Sequence, residues 1–283
     1  MQRVTQNMYI ETVWPGINVG AVSTSEGIIL VDTPFLPNEA HRWQEDLAAV
    51  TDQPIIYIIN TDFNPDRVVG NSWFMAPVIA HEGVWEKART YGNGFRQQLI
   101  DSIPTNMQPY AMREIVTWRV TLPRITFTGR LTLYRGGQTI ELIPAGGATP
   151  ASSLVYLPEA QVLFTGDTVV LGMHPVMTQA NSKEWLETLN TIRKMRVEHI
   201  VPGRGPLGSK QDTYPLSEYL RQLRAQVRRL YLAGRSKAEV GALVSEFMGY
   251  FPIPDDQRDI VRARIKGSVD RIYEEMKTAR EAD

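Results

Sequence analysis

The chain contains no cysteine, which excludes a disulfide framework, a thiolate zinc site and a cysteine nucleophile. Only four of its 283 residues are histidine, so imidazole is also scarce. No uncharged apolar run approaches the length of a membrane span, and residues 1–14 lack the basic stretch and apolar run of a secretory signal. We therefore expect a cytoplasmic protein that does not enter a membrane.

The chain also lacks an excess of charge of either sign, since 30 Lys and Arg face 31 Asp and Glu. A balance of this kind produces no long-range field that would attract a phosphate backbone. The expected partner is accordingly a small molecule or another protein, and not nucleic acid. With 43% hydrophobic residues, a chain of this length can form one large or two modest domains.

Short β-rich runs alternate with helical patterns up to about residue 212. Turn residues separate the runs at 9–13, 18–23 and 27–32, and the near-continuous apolar run at 55–59 is typical of a strand covered on both faces. Helical periodicity follows residue 37 and occupies residues 84–100, and a second group of strands is predicted between residues 130 and 164. The pattern predicts an α/β domain over residues 1–212, with two sheets and outer helices.

From residue 215 onward the pattern is purely helical. An apolar stripe at helical spacing runs through Leu216, Leu220, Leu223, Val227 and Leu230. Ser236 and Glu239 have capping-box spacing, and Asp255 is placed to cap a last helix. We expect residues 213–283 to form a helical extension packed on the first domain. A position at the mouth of a pocket or in a homo-oligomer contact is the alternative.

Four motifs follow the predicted strands in a fixed order. They are Asn60-Thr61-Asp62-Phe63-Asn64-Pro65-Asp66-Arg67, Gly147-Ala148-Thr149-Pro150, Leu163-Phe164-Thr165-Gly166-Asp167 and Val201-Pro202-Gly203-Arg204-Gly205-Pro206. Together with Val31-Asp32-Thr33, these motifs resemble those of the metallo-β-lactamase superfamily of dimetal hydrolases, over roughly residues 18–206. The resemblance implies a four-layer αβ/βα sandwich of two mixed sheets with outer helices, and a site at one edge of the sheets.

The resemblance also implies which residues stand at the positions of the metal ligands. Where the family has His-x-His-x-Asp-His, this chain has Asp62, Asn64, Asp66 and Arg67; Ala148 and Arg204 stand at two further histidine positions, and Asp167 at that of the bridging aspartate. All five ligand histidines are therefore absent. Because a guanidinium has no lone pair to offer a metal, we expect no zinc and no active zinc hydrolase.

The substitutions suggest what replaces the dimetal site. Asp66 and Asp167, left in a partly buried pocket, require compensating charge, and the motif places Arg67 and Arg204 beside them. With Asp62 included, the hypothesis is an Asp/Arg ion-pair cluster. Spare guanidinium donors would then bind an anionic small molecule.

Two alternatives remain open. One is a hydrolase with altered chemistry, which holds Mg²⁺, Mn²⁺ or Ca²⁺ through Asp62, Asp66 and Asp167 or uses a carboxylate of shifted pKa as acid or base. The other is a structural or partner-binding scaffold. His174 follows Asp167 closely enough to reach the rim of the pocket. The sequence assigns no catalytic residue.

Overall fold

The first sheet of the molecule has seven strands, which lie side by side in sequence order. The computed structural model describes residues 1–14, 16–103, 115–116 and 118–282. The strands are β1 (Gln2–Thr5), β2 (Met8–Glu11), β3 (Val19–Thr24), β4 (Gly27–Val31), β5 (Ile55–Ile59), β6 (Val78–His81) and β7 (Ile125–Phe127). The pairs from β1 to β4 are antiparallel, and those from β4 to β7 are parallel.

The second sheet has five strands in the order β12-β11-β10-β9-β8. They are β8 (Leu131–Arg135), β9 (Gln138–Pro144), β10 (Ser153–Leu157), β11 (Val162–Phe164) and β12 (His199–Val201). Only the β11–β12 pair is parallel among the described strands of this sheet. Gly136 and Gly137 join β8 to β9 with φ values of 50° and 79°, the left-handed conformations that a two-residue hairpin turn requires.

Apolar side chains of the two sheets meet in one core. Ile29 and Ile59 of the first sheet belong to the same buried cluster as Val155 and Phe164 of the second. On its other face the first sheet packs against helix α1 (Pro37–Ala48), which contributes Trp43. Strands β4 and β5 are thus covered on both faces, which explains their near-continuous apolar sequences.

Helices form the outer layers. After α1 come α2 (Pro65–Val68), α3 (Glu82–Ala88), α4 (Asn93–Ser102), α5 (Ser182–Lys194), α6 (Tyr214–Leu232), α7 (Lys237–Val240), α8 (Leu243–Phe247) and α9 (Arg258–Ala282). The single helix expected over residues 84–100 is two helices, because Gly92 lies between α3 and α4 and favours a break. The predicted fold class, a sandwich of two mixed sheets with outer helices, is confirmed.

The C-terminal helices cover the outside of the second half of the sandwich. The predicted stripe of α6 is buried except at Leu230, and it shares an apolar cluster with Trp185 of α5 and Ile265 of α9. Glu275 of α9 accepts a hydrogen bond from the backbone of Ser182 at the start of α5 (2.9 Å). Over the described ranges, no helix combines the length and apolar character needed to cross a membrane.

Candidate functional site

Charged side chains converge where strands of both sheets end. Asp32 directly follows β4, Asp66 and Arg67 follow β5, Asp167 follows β11, and Arg204 follows β12. Parallel strands present their carboxyl ends at the same edge of a sheet, so residues distant in sequence meet there. We call these five residues the ion-pair cluster.

Arg67 connects the two sheets from a fully buried position. Its Nη1 donates to Asp32 Oδ2 at 2.8 Å, and its Nη2 donates to Asp167 Oδ1 at 2.6 Å. Nη2 also donates to the backbone oxygen of Gly203 at 3.2 Å. The Arg67 side chain has 0% exposure, so these charge-assisted hydrogen bonds replace water at both Nη atoms, while its buried Nε has no partner among the described residues.

Arg204 binds the other side of Asp167 and closes the cluster toward solvent. Its Nη2 donates to Asp66 Oδ2 and, at 3.2 Å, to Asp167 Oδ2. Its Nε donates to Asp167 Oδ1 at 3.2 Å, and its Nη1 donates to the backbone oxygen of Gly16 at 2.8 Å. All three guanidinium nitrogens of Arg204 therefore have acceptors within the protein.

The charges of the cluster stabilise one another. Burial by itself would raise the pKa of Asp167, but Arg204 and Arg67 outweigh burial and hold the pKa of this carboxyl well below its ordinary value. Burial opposes the charge of Arg67, yet Asp167 and Asp32 raise the pKa of its guanidinium above the ordinary range. Asp167 and Arg67 consequently stay ionised at neutral pH, whereas burial raises the pKa of Asp32 above its ordinary value although Arg67 and Thr61 oppose the rise.

Asp62 corrects one detail of the expected cluster, because it forms no ion pair among the described residues. Its carboxyl is buried and accepts hydrogen bonds from the backbone nitrogen (2.7 Å) and the side-chain nitrogen (3.2 Å) of Asn64. Burial raises the pKa of Asp62 to about 8, with Arg67 opposing and Asp167 adding to the rise. At neutral pH Asp62 is therefore mainly protonated.

Asp32 takes the place that sequence reasoning assigned to Asp62. It accepts hydrogen bonds from the backbone nitrogen (2.8 Å) and hydroxyl (2.6 Å) of Thr61 in addition to the one from Arg67. Its φ of 56° lies in the left-handed region, which is uncommon for a residue other than glycine and is frequent at functional sites. The sequence feature that could have identified Asp32 is its position as an acidic residue directly after β4, a buried strand beside β5.

Two further residues fix the loop that carries Arg204. A Cβ at Gly203 would lie 2.4 Å from Asp167 Oδ1 and 2.5 Å from Arg67 Nη2, so only glycine leaves room for this ion pair. Asn18 donates through Nδ2 to the backbone oxygens of Pro202 (2.9 Å) and Gly205 (2.7 Å). The position of Arg204 thus depends on contacts between the two sheets.

The structure places His174 and Ala148 outside the cluster. The Nε2 atom of His174 lies 2.9 Å from the backbone oxygen of Phe247, and its ring packs edge-on against Tyr219. Burial lowers the pKa of His174, so a neutral imidazole sits in the interior of the helical layer and not at a pocket rim. Ala148 is buried in the same apolar cluster as Trp185.

A pocket of about 420 Å³ opens beside the ion-pair cluster. The lining contains both polar and apolar residues: Asn64, Asp66, Asp167, Arg204 and Gln98, together with Phe35, Pro65, Phe95, Leu99 and Val176. The cluster therefore forms part of the wall of a cavity large enough for a small organic molecule.

Two mixed sheets between helices, with polar residues at their shared edge, define an αβ/βα sandwich protein. The sequence profile of the metallo-beta-lactamase superfamily matches residues 12–204. The chain belongs to this superfamily.

Several known proteins are similar to this chain at low sequence identity. A linear primary-alkylsulfatase from Pseudomonas sp. (strain ATCC 19151) is 22% identical over 242 residues, which cover 74% of this chain and 45% of the alkylsulfatase. A sec-alkylsulfatase structure from Pseudomonas sp. has a TM-score of 0.73 at 15% identity, covering 96% of this chain and 49% of that one. The chain thus spans about half the length of these alkylsulfatases.

Two other similar structures are of proteins that this chain covers almost completely. A metallo-beta-lactamase family protein from Thermus thermophilus has a TM-score of 0.66 at 17% identity, covering 96% of this chain and 95% of that one. A metallo-beta-lactamase from Pontibacter korlensis has a TM-score of 0.61 at 21% identity, covering 78% and 97%. At these identities the similarity establishes the fold.

The donor set at the cluster does not fit the metals of the superfamily. Both oxygens of Asp167 accept hydrogen bonds from guanidiniums, and neither Arg67 nor Arg204 has a lone pair for a metal. In the part of the chain that the structure describes, no three His, Cys, Asp or Glu residues are arranged to hold a metal ion. Positive charge at this site comes from the arginines.

Proposed function

We propose that this chain is a small-molecule-binding member of the metallo-β-lactamase superfamily that requires no metal and has no metal-dependent hydrolase activity. The observation that carries the proposal is the position of Arg67 and Arg204 on either side of Asp167. By the resemblance in sequence, this aspartate occupies the place of the bridging ligand. The ion-pair cluster replaces the dimetal site.

The chemistry of a guanidinium supports this proposal. An arginine can supply the positive charge that a buried carboxylate needs, but it has no open coordination position at which a water could be activated. The cluster keeps the edge of the two sheets together without supplying a nucleophile. The adjoining pocket remains available for a ligand.

The alternative hydrolase would hold a hard divalent cation through Asp62, Asp66 and Asp167. Such a site needs three ionised carboxylates that point at one place. In the structure both carboxyl oxygens of Asp62 bond to Asn64, and among the described residues no three His, Cys, Asp or Glu side chains converge on one place. The alkylsulfatase names of the relatives favour hydrolysis of an ester, whereas the donor set of this chain favours binding alone.

Metal content tests the proposal directly. Purified, tag-free protein would be incubated with Zn²⁺, Mn²⁺, Mg²⁺ and Ca²⁺ in turn, dialysed, and submitted to elemental analysis, with a zinc-binding member of the superfamily as the positive control. We expect far less than one metal ion per chain and no change of Tm on adding EDTA. One or two ions per chain that resist dialysis would contradict the proposal and make Asp62, Asp66 and Asp167 the ligands.

A further inference from the structure

The C-terminal helical layer brings a third arginine close to the ion-pair cluster. Arg264 of α9 donates through Nη1 to the backbone oxygen of His174 at 3.1 Å, and Val176, two residues further along the chain, lines the pocket. The charge of Arg264 also interacts with those of three lining residues, Arg204, Asp167 and Asp66. These interactions put the guanidinium of Arg264 at the border of the pocket, on the side of Val176.

Arg264 differs from the other two arginines because it has no ion-pair partner in the described part of the chain. Arg67 and Arg204 each pair with carboxylates, whereas the Nε and Nη2 atoms of the half-buried Arg264 donate to no acceptor among the described residues. Burial and the neighbouring charge of Arg204 lower the pKa of Arg264, while for Arg204 the effect of burial is outweighed by Asp167 and Asp66. A guanidinium is still charged at neutral pH, so Arg264 carries positive charge that no adjacent carboxylate neutralises.

Arg204 also keeps a donor that the protein does not use. Its Nη1 carries two N–H groups, and the described residues provide one acceptor for them, the backbone oxygen of Gly16. Arg204 lines the pocket, and 18% of its side chain is exposed. A ligand can therefore accept a hydrogen bond from this nitrogen while the pairs with Asp66 and Asp167 stay intact.

The carboxylates of the pocket wall oppose an anion less than their number suggests. Asp66 Oδ1 is buried, and Asp66 Oδ2 binds Arg204. Both oxygens of Asp167 accept hydrogen bonds from guanidiniums. Burial raises the pKa of Asp62 to about 8 and also raises that of Asp32. Even with Asp32 ionised, three carboxylates face three guanidiniums, so negative charge is not in excess.

The remainder of the lining suits a hydrocarbon. Phe35, Phe95, Leu99 and Val176 line the pocket, and the ring of Phe95 stacks on that of Tyr91 with centroids 3.9 Å apart. Cavities with mainly apolar walls and a few polar groups are typical of sites for small organic molecules. The volume of about 420 Å³ accommodates such a molecule.

We propose that this pocket binds a small amphipathic anion, whose oxyanion group accepts hydrogen bonds from Arg204 and Arg264 and whose apolar body lies against Phe95 and Val176. Guanidiniums bind oxyanions through charge-assisted hydrogen bonds. The inference deepens the proposed function and rests on it, because arginines and not metal ions supply the positive charge. It also makes helix α9 of the C-terminal layer a part of the binding site.

Four probes with the same eight-carbon chain separate charge from hydrophobicity: octanoate, octanesulfonate, octanol and octylamine. The full chain would be titrated calorimetrically at neutral pH with EDTA present. We expect both anions to bind about tenfold more tightly than octanol, and octylamine to bind most weakly. The anion that binds more tightly identifies the preferred head group.

Three variants of α9 test the role of the third arginine. Arg264→Gln should lower the affinity for both anions about tenfold and leave that for octanol unchanged. Arg264→Lys keeps the charge and should lose less. The matched control is Arg262→Gln, an exposed arginine of the same helix, and it should change no affinity.

Gln98→Lys tests the same site by a gain of affinity. Gln98 is an exposed lining residue outside the ion-pair cluster. An added ammonium group should tighten the binding of both anions about threefold and not that of octanol, a result that misfolding cannot produce.

Several outcomes would overturn the inference: anions that bind no more tightly than octanol, equal losses in Arg264→Gln and Arg262→Gln, or no binding of any probe. Any of these results with metal-free protein leaves the proposed function standing. Bound metal, measured separately by elemental analysis, contradicts that function independently.

Discussion

Arg67 and Arg204 bind the same carboxylate, Asp167, in opposite surroundings. The side chain of Arg67 has 0% exposure and pairs with Asp32, whereas that of Arg204 is 18% exposed and pairs with Asp66 at the pocket wall. A buried charge must find every partner within the protein, while a partly exposed charge keeps part of its hydration. The ion-pair cluster thus has an inner half around Arg67, which joins the two sheets, and an outer half around Arg204, which borders the pocket.

Removing the inner arginine should have the largest effect on stability. Arg67→Ala leaves Asp32 and Asp167 without their common partner, and we expect a loss of about 3 to 5 kcal/mol in the free energy of unfolding. Denaturation in urea at neutral pH measures it. Arg67→Lys is the matched control: it retains the charge but not the fork that reaches both carboxylates, so an intermediate loss is expected. A loss below about 1 kcal/mol for Arg67→Ala would contradict a buried ion pair at this site.

Adding a methyl group beside Arg67 should lower the free energy of unfolding less than removing the Arg67 side chain does. Gly203→Ala places a methyl group within 2.4 Å of Asp167 Oδ1 and forces the pair with Arg67 to move. We expect a loss of about 2 kcal/mol, in the range of overpacked interiors. Gly94→Ala, in α4, where no atom lies within 4 Å of the added carbon, is the control and should not destabilise the protein. Equal stability of both variants would show that the inner half is loosely packed.

The outer arginine should contribute less, and its contribution should depend on salt. Arg204→Ala is expected to lower the free energy of unfolding by about 1 to 2 kcal/mol, between the values for exposed and buried pairs. Raising the ionic strength should reduce the loss of unfolding free energy caused by Arg204→Ala. The loss caused by Arg67→Ala should stay nearly constant, because salt screens buried ion pairs less than exposed ones. If both variants showed the same salt dependence, the ion pairs of Arg67 and Arg204 would not differ in their exposure to solvent.

The last prediction concerns the pH dependence of stability and involves the single carboxyl of Asp62. The pKa of Asp62 is about 8 in the folded protein against an ordinary value of 3.8, so the folded state holds a proton that the unfolded state has released between these values. Stability should therefore fall as pH rises from about 4 to about 8, by at most about 1.4 kcal/mol per pH unit for this one group. Asp62→Asn should flatten the curve between pH 6 and pH 7. An unchanged slope would mean that Asp62 is ionised when folded.

Particular residues show how much of the structure can be predicted from the sequence. The apolar runs of β4 and β5, the stripe of α6 and the Ser236–Glu239 capping box are local patterns, and the structure contains each of them. The break between α3 and α4 was missed, although Gly92 marks it. In the candidate site, Arg67 and Arg204 lie beside Asp167 as expected. Asp62 instead bonds to Asn64, and His174 lies among the C-terminal helices instead of at the pocket rim.

The sequence by itself determined where strands and helices occur along the chain and which motifs follow the strands. These features depend on periodicity, turn residues and motif spacing, which involve only a few neighbouring positions. Only the tertiary structure decided which carboxylate pairs with the buried arginine. Arg67 lies 35 residues from Asp32 and 100 residues from Asp167, and five residues from Asp62, which it does not bind. The choice depends on desolvation and on where loops of two sheets meet, and both are properties of the packed molecule and not of any segment.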